Sequence, residues 1–439
     1  MSLSTVWQRV NTWLLFAFAA LLIVVPWGYA VIPLVAAGVV LAGWLCGSGV
    51  GDRLRRLDAE DGWWCLALLG YGGLWLWDVW RTGHWPVGEG SQGVALPLWP
   101  ILAALLLVWL RCFRPSPYLW WLGIGCGALA AGGIALFERL VLGVHRASND
   151  MNAIPFGNLS LLLGVISLMA ALWLSSRSLA GRWGWLRLAF VAALAGILAS
   201  LLSGTRGGWV AAPLLLLLVW RGYRDVVNAA LLWRWRWALS SAVLLLAFVV
   251  VLPQSGVSHR VAEAFSDVHD YWSEENRSTS IGLRFEMWRG GWQLFLQRPL
   301  AGWGEGGVQE ARDALVAKGI LHPDVSQYDQ LHSDIIDTAA RRGILGLATL
   351  AMLYGVPLVL FARRLSQASA GERALAVAGL MIPIAFIDFG LTQSMLRDVR
   401  GLSGYLGLCI GCWAVLKREG EKYLAAHTDK TLTIRPRRL

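Results

Sequence analysis

The chain has 439 residues, of which 56% are hydrophobic and 15% charged, with a formal net charge of +10. Soluble domains carry about 25% charged residues, so the two or three soluble domains suggested by length alone are excluded. In such a chain the basic excess reads as anchoring beside a membrane rather than as a nucleic-acid surface, and no nucleic-acid partner is expected.

Apolar runs recur from end to end, each near the roughly 20 residues that carry a helix across a bilayer. Twelve spans are expected, over 13–29, 31–50, 62–79, 94–110, 117–137, 157–175, 188–203, 208–220, 238–253, 343–361, 374–396 and 401–416. The expected fold class is therefore an all-α polytopic membrane protein. The first run reads as an anchor rather than a signal peptide, because Met1 is kept and a second span follows at once across the proline-containing turn "PWGYAVIP".

Basic residues set the orientation. With the N-terminus in the cytoplasm, Arg9, Arg53, Arg55, Arg56, Arg111, Arg114, Arg177, Arg221, Arg224, Arg363 and Arg364 fall on the inner face together with the tail from Lys417 to Arg438. Both termini are then cytoplasmic. The expected division is nine spans over 1–253, an external loop over 254–342, three spans over 343–416 and a cytoplasmic tail over 417–439. The 27 tryptophans cluster near span ends, as in "WRWRW" at 233–237, and read first as an interfacial belt.

A loop as long as 254–342 usually forms a subdomain or carries function. Helical patches are expected over 260–272, 281–297, 308–318 and 330–342, with "QRPLAGWGEGG" as a break. No ATP is available outside the membrane, so synthesis there needs a substrate activated inside and carried across. Lipid-linked diphosphate sugars have that form.

Four stretches place charge where it is expensive. In "LLSGTRGGWV", Arg206 lies between two apolar runs, flanked by glycines that permit close packing. It reads either as an interfacial arginine snorkelling to water or as a phosphate anchor. In "TSIGLRFEMWRGGWQLFLQRP", Arg284 and Trp288 share a helix face by their i, i+4 spacing, while Glu286 and Arg289 point elsewhere. Arg284 is a solvated face residue or a diphosphate ligand, for which its planar, permanently charged fork is suited. In "DQLHSDIIDTAARRGILG", His332 begins a helix running toward Gly343, with Arg341 and Arg342 read as topological charges before the next span. His332 is either structural or a general base held neutral by nearby arginines. In "PIAFIDFGLTQSML", Asp388 is a carboxylate inside an apolar run, placed to orient His332 or to pair with an arginine.

No metal or cofactor is expected. His322 and His332 are spaced like no common metal site, and P-loop and GxSxG patterns are missing. Cys409 and Cys412 form a CxxC inside an apolar run with no second pair, so they read as small residues on a helix face. The six cysteines all lie in or beside apolar segments, which argues against a disulfide framework.

Many spans, one long late loop, "SGTRGGW", an arginine followed by "MW" and "PLAGWG", and then "LHSDIIDTAARRGILG" together resemble the O-antigen ligase and polymerase superfamily. The resemblance runs from about Ser203 to Asp388, and Ser333 stands where that family usually has Asn. It implies a GT-C-like glycosyltransferase of the bacterial inner membrane, with the long loop in the periplasm. The implied reaction moves O-antigen from undecaprenyl diphosphate, the donor, to lipid A–core oligosaccharide, the acceptor, by metal-independent inverting transfer. Arg206 and Arg284 would bind the donor diphosphate and His332 would be the catalytic base, with Asp388, Arg289 and Trp288 in support. O-antigen polymerase and protein O-oligosaccharyltransferase stay open as alternatives. A lipid-linked glycan flippase or transporter is the rival of a different class, and it would need charges lining many spans or repeated broken helices.

Overall fold

A computed structural model of the chain describes residues 2–47, 49–86, 95–175, 177, 182–224, 257–273, 276–366 and 369–433, with 240, 244, 247, 250 and 251. Among them every regular element is helical: α1 (Leu3–Leu21), α2 (Gly28–Leu45), α3 (Val50–Leu54), α4 (Ala59–Thr82), α5 (Leu98–Cys112), α6 (Pro117–Leu140), α7 (Ala153–Ser175) and α8 (Arg182–Ser203). There follow α9 (Arg206–Trp209), α10 (Ala211–Tyr223), α11 (Val257–Trp272), α12 (Ser280–Gln297), α13 (Gly307–Ala317), α14 (Asp334–Arg363), α15 (Ala370–Thr392) and α16 (Val399–Thr433).

Seven of these, α2, α6, α7, α8, α14, α15 and α16, are long and apolar enough to cross a bilayer. Further apolar helices are α1, α4, α5 and α10. The set is consistent with twelve spans, and the ninth expected run, 238–253, lies mostly outside the described residues. The first expected span is corrected: α1 covers Leu3–Leu21, and the chain then turns through Trp27, at φ 68°, into α2. The apolar stretch after Leu21 forms the turn rather than continuing the span.

The core sits around α7, α15 and α16, which are buried along most of their length. Their apolar residues run all round rather than along one stripe, as a central helix requires. At the end of the bundle carrying the first turn of α4, Asp58 and Asp61 form a capping box. Arg111 donates through Nε to Asp61 at 2.9 Å, Trp413 Nε1 donates to the same carboxylate at 2.8 Å, and Lys417 Nζ reaches Asp58 at 2.5 Å. A buried charge is tolerated when it is paired and hydrogen-bonded, and this cluster ties α4, α5 and α16 together.

Between α10 and α14 in the chain, α12, α13 and a 3-10 turn (Pro323–Gln327) gather around a small apolar core, and α11 packs against α12. Leu283, Met287, Leu294, Leu315, Leu321 and Val325 lie within it. Buried Glu286 serves as its polar hub, accepting from Tyr271 Oη at 3.0 Å, Arg289 Nη1 at 3.3 Å and the His322 amide at 3.0 Å.

Candidate functional site

Helix α15 ends at Thr392, and Gln393 leaves it in extended backbone, φ −149° and ψ 141°. The last carbonyls of a helix have no partner inside it and carry the negative end of its dipole. Arg284, on α12, fills that vacancy: its Nε donates to Thr392 O at 3.2 Å. The next residue, Gln393, accepts through Oε1 from His332 Nδ1 at 2.5 Å. Ser394 Oγ then accepts from the Ser333 amide at 3.1 Å. Three consecutive residues thus hold two of the sequence motifs against one helix end.

The third motif reaches the same place through its glycines. A Cβ on Gly207 would stand 2.2 Å from Thr392 Oγ1, and one on Gly208 would stand 2.2 Å from Asn158 Oδ1. A side chain at either position would have to displace these polar atoms, and the glycines let α9, which begins at Arg206, pack against α15. Arg206 Nη2 lies 3.7 Å from Glu263 Oε2 of α11. Burial holds the Arg284 pKa below its usual value, and the positive charge of Arg206 lowers it further. Arg284 Nη1 bonds to Ser280, and its Nη2 has no partner among the described residues.

His332 is buried, and its pKa is lowered to about 4, by burial first and then by the Arg284 charge. Its ring is neutral near pH 7. A glutamine side-chain oxygen only accepts, so with this amide orientation Nδ1 carries the proton and Nε2 keeps a lone pair. Nε2 has no hydrogen-bond partner among the described residues. The backbone is at φ 49°, uncommon for a non-glycine residue, and it is held there by the Trp288 indole, which donates to His332 O at 3.3 Å. Tyr328 meets the imidazole edge-on, ring centroids 5.3 Å apart.

The expectation that His332 begins a helix is corrected. Helix α14 starts at Asp334, with Ser333 as N-cap accepting from the Ile336 amide at 3.5 Å, so His332 lies in the loop just before it. A serine ahead of an apolar run is a strong cap. Arg289 points away from His332, to Glu286 and to the Ile320 carbonyl, and acts within the loop's own fold. Asp388 faces the Ala211 amide on α10, and its Oδ2 has no hydrogen-bond partner among the described residues. The position beside Nδ1, one of the two offered to Asp388, is taken by Gln393.

Arg341 and Arg342 are buried rather than topological. Arg341 bonds to Glu305 at 3.2 Å and to Asp337 at 3.0 Å, and Arg397 grips Glu305 with both amino groups at 2.8 and 3.1 Å. Arg342 stacks on Trp75 at 4.4 Å. Burial alone would raise the Glu305 carboxyl, but Arg397 and Arg341 pull it down to about 2. Sequence reasoning missed Gln393, Glu305, Asp337 and Arg397. The available signal was "TQS", three polar residues closing an apolar run. Among the described residues, no group of three or more His, Cys, Asp or Glu side chains is gathered as for a metal ion.

Residues 190–351 match the protein family described as O-antigen ligase. The O-antigen ligase of Escherichia coli is 28% identical over 120 residues, 26% of this chain and 28% of that protein. This part of the chain is therefore similar to the O-antigen ligase superfamily. A Haemophilus influenzae protein described only as uncharacterized is 25% identical over 278 residues, 63% of this chain and 68% of its own length. The superfamily match spans Arg206, Arg284, Trp288, Arg289 and His332, whereas Asp388 and Gln393 lie beyond it. The match supports an enzyme role in general, in a chain whose long apolar helices make it a membrane protein.

Proposed function

We propose that the chain is an O-antigen ligase, transferring glycan from undecaprenyl diphosphate to lipid A–core at the periplasmic face of the inner membrane. The observation that carries this reading is the meeting of Arg206, Arg284 and His332 around Thr392–Gln393. Two arginines at the same helix end offer forked donors to a diphosphate and stabilise the charge that develops as it leaves. They do the work that a metal ion performs elsewhere. A neutral imidazole with a free Nε2 takes the proton of the attacking sugar hydroxyl. Gln393 fixes which ring nitrogen is free, as partners of catalytic histidines do. Attack from the side opposite the diphosphate inverts the anomeric centre.

The loop over 254–342 is placed by this reading on the periplasmic side, covering the sugars while the lipid tails lie among the helices. The test uses purified protein, undecaprenyl diphosphate-linked glycan and lipid A–core. Glycan on lipid A–core is expected. Longer lipid-linked chains in its place would assign a polymerase, glycan on added protein a protein oligosaccharyltransferase, and donor moved across a vesicle membrane without transfer a transporter.

A further inference from the structure

Away from His332, the first turns of α1, the turn before α6 and the later part of α16 border an open cavity of about 440 Å³. Arg418, on its wall, lies well along α16 from Val399, which adjoins the site, at about 28 Å by helical rise. The cavity is therefore separate from the donor arginines.

Its wall carries Arg9, Arg418, Gln8 and Thr5, with Trp13 and Leu119 beside them. Three neighbouring cations are matched by carboxylates: Arg111 by Asp61, Arg114 by Glu421, Lys417 by Asp58 and Glu60. Arg418 differs from these three. Its Nη1 donates to the Arg114 carbonyl at 2.7 Å, and it has no carboxylate partner among the described residues. An arginine held by one hydrogen bond and facing a cavity keeps N–H groups in the fork geometry that suits a phosphate. The Gln8 amide has no partner among the described residues and adds a neutral donor.

The apolar part of the wall indicates the source of that phosphate. Trp13 is 59% exposed at the rim, on a helix whose other face packs into the bundle. Tryptophan of this kind settles at the headgroup layer, where a free anion gains nothing from it and a lipid gains contact along its glycerol and upper chains. We propose that this cavity binds the phosphate of an anionic phospholipid, with Arg418 and Arg9 on the phosphate and Trp13 and Leu119 against the chains.

The test reads the thermal unfolding midpoint of the full chain in detergent with added phosphatidylglycerol, with phosphatidylcholine, or with inorganic phosphate. A ligand that binds only the folded state raises the midpoint with its concentration. Phosphatidylglycerol is expected to raise it by several degrees and phosphatidylcholine to leave it unchanged. Arg418→Gln is expected to abolish the shift, and Arg9→Gln, at an exposed side chain, to reduce it by at least half. An equal shift with phosphatidylcholine overturns the proposal. So does a full shift with inorganic phosphate alone, which would assign a free anion. An undiminished shift in Arg9→Gln overturns it even if Arg418→Gln fails to fold. Glycan transfer is read in parallel, and both variants should retain it.

Discussion

His332 shows how burial and one neighbour prepare a side chain for chemistry. Its pKa near 4 keeps the imidazole neutral well below the usual value of about 6.5. The acid limb of kcat/KM is expected near pH 4 in a titration of transfer rate. A limb near 6.5 would contradict the buried geometry. Gln393→Glu should keep the acceptor at Nδ1 but add a negative charge, which favours the protonated ring, so the limb should move upward. Gln393→Ala should lower kcat while leaving the donor KM nearly unchanged. Arg206, Arg284 and His332 were legible in the sequence because each is charged or titratable beside apolar runs. Gln393 was not legible, because a neutral amide after a hydrophobic helix gives no charge signal and its partner is distant in the chain. Asp388 attracted attention for the opposite reason, being conspicuous, and its carboxylate faces α10.

Among the elements, α11 reaches the site through one ion pair. It is strongly amphipathic, with Phe265 and Trp272 each 75% exposed, and Glu263 on its polar side pairs with Arg206. A carboxylate there competes with a donor diphosphate for the same guanidinium. Glu263→Gln is expected to lower the donor KM severalfold at unchanged kcat, and a raised KM in steady-state kinetics would show that Glu263 helps binding. Helix α14 illustrates a boundary set by local chemistry. Ser333 caps its start and Gly343, at φ 58° and ψ −150°, breaks it where a Cβ would meet the Pro299 carbonyl at 2.4 Å. The sequence placed the helix and the small residues correctly in outline. It missed the cap because Ser333 was weighed as a motif position rather than as a helix start.

For the whole molecule, the buried set Glu305, Asp337, Arg341 and Arg397 fastens the loop subdomain to the bundle. Removing one partner of such a set strands the others, at a cost of about 3–5 kcal/mol. Glu305→Gln should therefore lower the thermal midpoint sharply, and a midpoint equal to wild type would contradict a fastening role. The pH dependence has a definite sign. Glu305 has a folded pKa below its unfolded value of about 4.3, so its contribution is complete above that value and is lost as pH falls toward about 2. His332 adds to the acid loss between about 6.5 and 4, where the unfolded chain binds the proton that the folded chain refuses. The apolar runs made the helical membrane architecture legible. The fastening was not legible, because Glu305 lies in a glycine-rich break and Arg397 in a short turn, and only the fold brings them together.

The central claim is that Arg206, Arg284 and His332 form one transfer site. It is tested most directly by the rate of glycan transfer from undecaprenyl diphosphate to lipid A–core by purified His332→Ala beside wild type. The account predicts a loss of about 10²–10⁴-fold in kcat, the usual contribution of a general base, in a variant that stays folded at the assay temperature. Transfer at the wild-type rate would contradict it.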